Sequence, residues 1–128
     1  MMEITLGEGL RVSAEFDGFS VDTDQPVASG GAASAPGPYD LFLASLATCA
    51  GFFALRFMQE RGIDAAGASL TLTHDKDAAS GLATDVHLHL ALPPGFPDKY
   101  RRAIVLAMDQ CKVKRQLERP PRVTATAS

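Results

Sequence analysis

The sequence predicts an α+β fold in which antiparallel strands pack against one long central helix. Alternating apolar and polar residues mark strands on both sides of a continuous apolar segment, and that segment has helical length. The predicted order is strands, long helix, strands, helix and strand, a grouping that is typical of antiparallel sheets. With 128 residues and no internal repeat, we expect one domain over residues 1–128.

Two N-terminal strands are predicted from residues 10–16 and 19–21, in which apolar and polar side chains alternate. Asp17-Gly18 lies between them, and this dipeptide is a strong signal for a two-residue hairpin turn. Residues 3–6 predict a further short strand. A segment rich in Gly, Ala and Pro follows at residues 23–37, and it is equally compatible with a functional loop and a plain linker.

The long helix is predicted to begin at Pro38 and to stop at Gly62, because proline suits a first turn and glycine a left-handed C-cap. Apolar side chains cover most of its circumference between residues 41 and 57, whereas a surface helix has one apolar stripe. One small sheet covers one side only, so we expect a homodimer. The apolar core, residues 41–55, is shorter than a membrane span, which favours a buried helix and no membrane contact.

The C-terminal half predicts a hairpin from residues 69–74 and 82–92, with an apolar face. Asp98 is a candidate cap for a second helix that reaches about Gln110. A short helical turn at 112–117 and a final strand at 123–127 complete the prediction.

The net charge, the N-terminal sequence and the number of cysteines each argue against a class of protein. A net charge of −3 argues against a general nucleic-acid binder, and the basic residues of segment 112–122 are interpreted as a solvated helix face. The N-terminus has no signal-peptide pattern, so we expect a cytoplasmic protein. Cys49 and Cys111 are too few for a secreted disulfide framework or for a zinc site made of cysteines alone.

Cys49, in the middle of the apolar helix, is either a small inert core residue or a reactive thiol. Free cysteines are often buried and inert. Arg56 shares its helical face, however, and a nearby cation favours the reactive thiolate. Cys111 lies where two helices meet, and the N–H groups of such a junction also favour a thiolate. A metal site at His87 and His89 is a competing hypothesis, but their strand face is expected to be exposed and we predict no metal. His74 has the opposite parity on its strand and is expected to point inward.

Two segments resemble the osmotically inducible protein C and organic hydroperoxide resistance (OsmC/Ohr) family. "GPYDLFLASLATCAGF", residues 37–52, is similar to the segment with a reactive cysteine in a central helix. "MDQCKVKRQL", residues 108–117, is similar to the second cysteine segment. The resemblance covers nearly the whole chain and implies an OsmC-like fold, in which antiparallel sheets wrap central helices in an intertwined homodimer.

The resemblance also implies a mechanism. Cys49 would attack an organic hydroperoxide and Cys111 would resolve the sulfenic acid, after which a dithiol of lipoyl or other type would reduce the disulfide. Arg11 is the candidate for the family arginine near the reactive sulfur, and no cofactor is implied. Tyr39 stands where peroxidase members usually have Glu, which indicates a divergent branch. The residues expected to bind the substrate are Tyr39, Phe42, Phe52, Phe53, Arg56 and Met108.

The main alternative is a non-catalytic OsmC-like dimer that binds a small apolar or thiol ligand at its interface. In the enzyme Cys49 reacts rapidly, whereas in the binding protein it is an inert thiol in a similar pocket.

Overall fold

A computed structural model describes all of residues 1–128, with five strands and three α-helices. In chain order the elements are β1 (Glu3–Leu6), β2 (Val12–Phe16), β3 (Phe19–Thr23), α1 (Pro38–Glu60), β4 (Ser69–Lys76), β5 (Ala83–Ala91), α2 (Arg101–Met108) and α3 (Lys112–Glu118). Short 3₁₀ turns lie at Val27–Ser29 and Asp98–Tyr100. The chain forms two compact units, residues 1–44 and 45–128, and α1 begins in the first and ends in the second.

The first unit contains the antiparallel sheet β1-β2-β3 that the N-terminal alternation predicts. The β2–β3 hairpin closes with Phe16 opposite Phe19. Both turn residues have positive φ, 51° at Asp17 and 80° at Gly18, as the turn type favoured in two-residue hairpins requires. The turn that Asp17-Gly18 predicted is therefore confirmed.

Asp24 organises the Gly-rich segment that follows β3. The residue is 1% exposed, and its carboxylate accepts hydrogen bonds from the backbone N–H of Gln25, Ala32 and Ser34 and from the Ser34 hydroxyl, the last at 2.6 Å. These bonds, the hydroxyl's first, lower the pKa of Asp24 to about 2 although burial opposes them. The segment is thus an ordered loop around a buried carboxylate, which its lack of periodicity did not predict.

Local signals set both ends of α1. At its start, Asp40 accepts a hydrogen bond from the Gly37 N–H at 3.0 Å, which satisfies a donor that the helix leaves free. At its end, Gly62 has φ 64°, and the Ile63 N–H donates to the Met58 carbonyl at 2.9 Å. This is the Schellman arrangement, in which a left-handed glycine lets the chain turn back.

The core of the second unit lies between α1, α2 and the β4–β5 hairpin. Its buried side chains are Ala50, Ala54, Phe57, Met58, Phe96, Ile104 and Met108. The hairpin is antiparallel, and its half-buried residues Leu70, Leu88 and Leu90 pack against this core. The alternation in both strands therefore predicted correctly which face is covered.

Three expectations for the C-terminal half were wrong. Asp98 caps no helix, because it is the first residue of a 3₁₀ turn and its carboxylate accepts from Arg101 Nε at 2.8 Å. No strand forms at residues 123–127, which are exposed and have no neighbouring strand to pair with. His74, whose parity predicted an inward side chain, is exposed near the end of the hairpin.

Candidate functional site

The two cysteines, far apart in the sequence, meet where the N-terminus of α3 contacts α1. Cys49 is partly exposed on α1, whereas Cys111 is 2% exposed and immediately precedes α3. Both are free thiols, and the Cys111 thiol donates a hydrogen bond to the Leu46 carbonyl of α1 at 3.9 Å, one turn before Cys49. The site therefore contains one thiol that small molecules can reach and a second, hidden thiol against it.

Opposing effects act on the ionisation of Cys49. Burial raises the pKa of its thiol, but hydrogen bonds from the Val113 N–H, the Cys111 thiol and the Lys112 N–H together outweigh burial. The net pKa of Cys49 is lower than usual, because each of these donors favours the charged form. A lowered pKa increases the fraction of thiolate, which is the nucleophilic form.

The pKa of Cys111 shifts in the opposite direction. Burial is the largest effect and raises the pKa of its thiol, and the neighbouring Cys49 raises it further by hydrogen bonding and by charge. Hydrogen bonds from the Lys114 and Val113 N–H groups only partly offset this. The arrangement therefore separates the two thiols into a thiolate-prone Cys49 and a protonated Cys111.

The corner between α2 and α3 places these donors. After Met108 the chain leaves the helix and Cys111 adopts a non-helical conformation, so that its sulfur caps α3 by accepting from the Lys114 N–H at 3.4 Å. Lys114 Nζ also bonds Asp109 across the corner at 2.5 Å. The free N–H groups of the first turn of α3 consequently face the sulfur atoms.

An apolar cavity of about 300 Å³ adjoins Cys111. It is lined by Leu46, Val86, Leu88, Val105, Met108, Asp109, Cys111, Lys114 and Leu117. Of the six residues predicted to bind substrate, Met108 alone lines it. The strand and α3 residues were missed because their alternation and spacing indicate packing in general, and no sequence signal shows which apolar residues leave a gap.

None of the four aromatic residues predicted to bind substrate lines this cavity. Phe52 and Phe53 contact each other edge to face, with ring centroids 5.0 Å apart. Phe53 also lines an open groove of about 410 Å³ beside α2. Tyr39 and Phe42 stack at 5.7 Å in the first unit.

The two arginines that the sequence offered as partners for Cys49 are placed differently. Arg56 lines the open groove and its Nε bonds Glu60 at 2.8 Å. Arg11 is exposed in the turn before β2, in the first unit, where its carbonyl accepts from the Gly7 N–H at 2.9 Å. The groups that lower the pKa of Cys49 are neutral hydrogen-bond donors. A role for Arg11 at the site remains a prediction.

His87 and His89, the two residues of the metal hypothesis, lie on the exposed face of β5, as their parity predicted. No group of three or more His, Cys, Asp or Glu side chains in residues 1–128 is arranged to hold a metal ion.

Comparison with protein families gives one match, to the family described as OsmC-like protein, over residues 30–126. Both cysteines and the whole of α1 lie inside the matched region. A search of curated proteins gave no match.

Solved structures agree with the family match. A protein of Psychrobacter arcticus 273-4 named for the osmotic stress and detoxification response is 26% identical, with a TM-score of 0.78 over 90% of this chain and 85% of that one. An OsmC-like protein of Mycoplasma pneumoniae is 18% identical, with a TM-score of 0.72 over 92% and 86%. An organic hydroperoxide resistance protein of Legionella pneumophila is 20% identical, with a TM-score of 0.58 over 91% and 87%. The predicted α+β fold with antiparallel sheets is confirmed.

Proposed function

This chain belongs to the OsmC-like protein family, and from that premise we propose that it is a thiol-dependent peroxidase that reduces organic hydroperoxides. Cys49 is the peroxidatic cysteine and Cys111 the resolving cysteine. The observation that carries the proposal is the pair of free thiols where α3 meets α1, of which the partly exposed Cys49 has a lowered pKa and the buried Cys111 a raised one. Reactive cysteines in proteins have this environment of surrounding N–H donors and partial exposure.

The reaction follows from the protonation states. The Cys49 thiolate attacks the terminal oxygen of the hydroperoxide, the O–O bond breaks, and the alkoxide takes up a proton and leaves as an alcohol. Cys49 is then a sulfenic acid. The Cys111 sulfur, already in contact, attacks the Cys49 sulfur, the S–O bond breaks, and the hydroxide leaves as water with the Cys111 proton. A dithiol of lipoyl or other type reduces the disulfide and is itself oxidised.

A hidden resolving thiol protects the enzyme. Sulfenic acid is oxidised irreversibly when peroxide reaches it before another thiol does. Cys111 needs no diffusion to reach Cys49, and its 2% exposure keeps it from being oxidised first. The apolar cavity that adjoins Cys111 offers room for the alkyl part of a substrate, since apolar walls favour organic over hydrogen peroxide. Arg11 is proposed to contribute a positive charge near the Cys49 sulfur.

The functional unit is proposed to be a cytoplasmic homodimer. α1 is long and apolar enough to cross a membrane by length and composition, as the core helix of a soluble protein also is. Only 33% of the most apolar 18-residue stretch of α1 is buried within one chain. The α1 residues Phe52 and Leu55 are 52% and 44% exposed. A second copy that covers this face removes apolar surface from water.

The peroxidase test compares two substitutions with the parent protein. Cys49→Ser should abolish consumption of cumene hydroperoxide, because a hydroxyl is a far weaker nucleophile at neutral pH. Cys111→Ser should consume about one equivalent per site and then stop as sulfenic acid or a higher oxide. Non-reducing mass spectrometry should show a Cys49–Cys111 disulfide in the parent alone. Two free thiols and unconsumed peroxide in the parent would refute the enzyme.

The alternative function is a non-catalytic dimer that binds a small apolar or thiol ligand. The apolar cavity of about 300 Å³ beside a thiol favours it, since a cavity of this size accepts such a ligand without any chemistry. The same experiment separates the two, because a binding protein leaves the peroxide intact and both thiols free.

A further inference from the structure

The cavity of about 300 Å³ beside Cys111 has a buried inner side and an exposed rim. The inner side is formed by the buried residues Leu46, Met108 and Cys111, and the half-buried Val86 and Leu88 of β5 continue it. The rim consists of the exposed lining residues, which are Val105, Asp109, Lys114 and Leu117. The cavity is therefore apolar within, and its charged groups lie at the rim alone.

The two charged residues of the rim neutralise each other. Lys114 Nζ bonds Asp109 Oδ1 at 2.5 Å, and the two side chains are 48% and 53% exposed. Lys114 is the only cation among the residues that line the cavity, and Asp109 is the only anion. The rim thus carries no net charge, and its one cation already has a carboxylate partner.

The same corner of the chain holds the ion pair and the buried thiol. The Lys114 N–H donates to the Cys111 sulfur at 3.4 Å, while its side chain reaches back to Asp109, two residues before the thiol. The backbone of Lys114 is therefore fixed at the thiol and its charge at the rim. A molecule that fills the cavity consequently contacts the Cys111 thiol at one side and meets the ion pair where the cavity opens.

Size and charge limit what this cavity accepts. A water molecule takes up about 30 Å³ of liquid volume, so the cavity has room for at most about ten non-hydrogen atoms. A carboxylate that enters an apolar cavity without a partner loses its hydration and is disfavoured. To pair with Lys114 it must displace Asp109, which competes as a partner within the same chain. An uncharged molecule has neither cost.

We propose that Asp109 is a specificity-determining residue: by neutralising Lys114 at the rim, it restricts the cavity to uncharged alkyl or aryl molecules of about ten non-hydrogen atoms and disfavours carboxylates. The proposal rests on the proposed function in taking this molecule as the organic part of the hydroperoxide. Its test is a binding measurement that involves no reaction.

The test compares 1-octanol with octanoate, which are both of this size and differ in charge at neutral pH. Each is titrated into the reduced full chain, and the Met108 methyl resonance reports occupancy, because Met108 lines the cavity. We expect the parent to bind octanol more tightly than octanoate. Asp109→Asn leaves Lys114 without its partner and should tighten octanoate binding about fivefold, the worth of an exposed ion pair, with octanol unchanged.

Two further variants make the result specific to the rim. Lys114→Met keeps a long side chain and the backbone N–H but leaves Asp109 as an unpaired anion, so octanoate binding should weaken by about fivefold. The matched control is Asp98→Asn, which releases Arg101 from an ion pair of 2.8 Å outside the cavity. It makes the same change in net charge and should alter the binding of neither molecule.

Octanoate that binds the parent as tightly as octanol would overturn the proposal. So would unchanged octanoate binding in Asp109→Asn, an equal gain in the control, or a Met108 methyl that neither molecule shifts. A parent that consumes cumene hydroperoxide without discriminating between the two molecules refutes this inference alone. A parent that discriminates between them but consumes no peroxide retains it and refutes the proposed enzyme.

Discussion

The exposed face of α1 gives a prediction whose magnitude follows from the structure. Full burial of a Phe or Leu side chain is worth about 2 kcal/mol, and Phe52 and Leu55 are 52% and 44% exposed in one chain. Covering the exposed parts of both is therefore worth about 2 kcal/mol per copy, or about 4 kcal/mol in a twofold dimer, where each change occurs twice. Because 1.4 kcal/mol is a factor of ten, Phe52→Ala with Leu55→Ala should raise the dimer dissociation constant by about 1,000-fold.

Sedimentation velocity over a dilution series measures this constant directly. Alanine preserves helix propensity, so the double variant should remain folded while it dissociates. The matched control is Leu82→Ala, which removes another leucine side chain that is 59% exposed but lies just before β5. A parent that is a folded monomer at low micromolar concentration would refute the reasoning. So would a control that weakens the dimer as much as the double variant does.

Two further predictions concern Asp24 and the oxidised state. The pKa of Asp24 is about 2 in the folded chain against an ordinary 3.8, so its stabilisation is complete above that ordinary value and is lost as pH falls towards 2. In urea titrations the free energy of unfolding of Asp24→Asn should be lower than that of the parent at neutral pH, and this difference should shrink as pH falls through the same acid range. A difference that stays constant with pH would contradict the prediction. Oxidation to a Cys49–Cys111 disulfide removes the charged Cys49 acceptor, so the amides of Lys112 and Val113 should exchange hydrogen faster than in the dithiol form, while unchanged exchange would contradict the contacts described.

The sequence predicted the elements best where a local signal determines them. Pro38 and Gly62 bracket α1 to within two residues, because each has a backbone preference that holds in any context. The Asp17-Gly18 turn and the hairpin alternation were equally reliable for this reason. The predicted strand at 123–127 failed because alternation shows only that a segment suits a sheet, and pairing needs a neighbouring strand.

The site was predictable in its residues but not in its physics. The two cysteine segments were recognisable from their resemblance to a family, and the position of Cys111 at a helix junction indicated helix N–H groups. Of the two arginines offered as a source of stabilisation, Arg56 on the same helical face bonds Glu60, and a role for Arg11 stays a prediction. Helical spacing shows which residues share a face, whereas the partner of a long side chain depends on every neighbour within its reach.

The source of the activation also decides how the site behaves over a cycle. A guanidinium beside Cys49 would persist after the disulfide forms and would stabilise either thiol as a leaving group. N–H donors from α3 act differently, because the Cys49 thiolate that they stabilise no longer exists once the disulfide has formed. This part of the activation is then confined to the reduced state. Reduction by a dithiol must restore the Cys49 thiolate, and with it the hydrogen bonds from α3, before Cys49 can attack again.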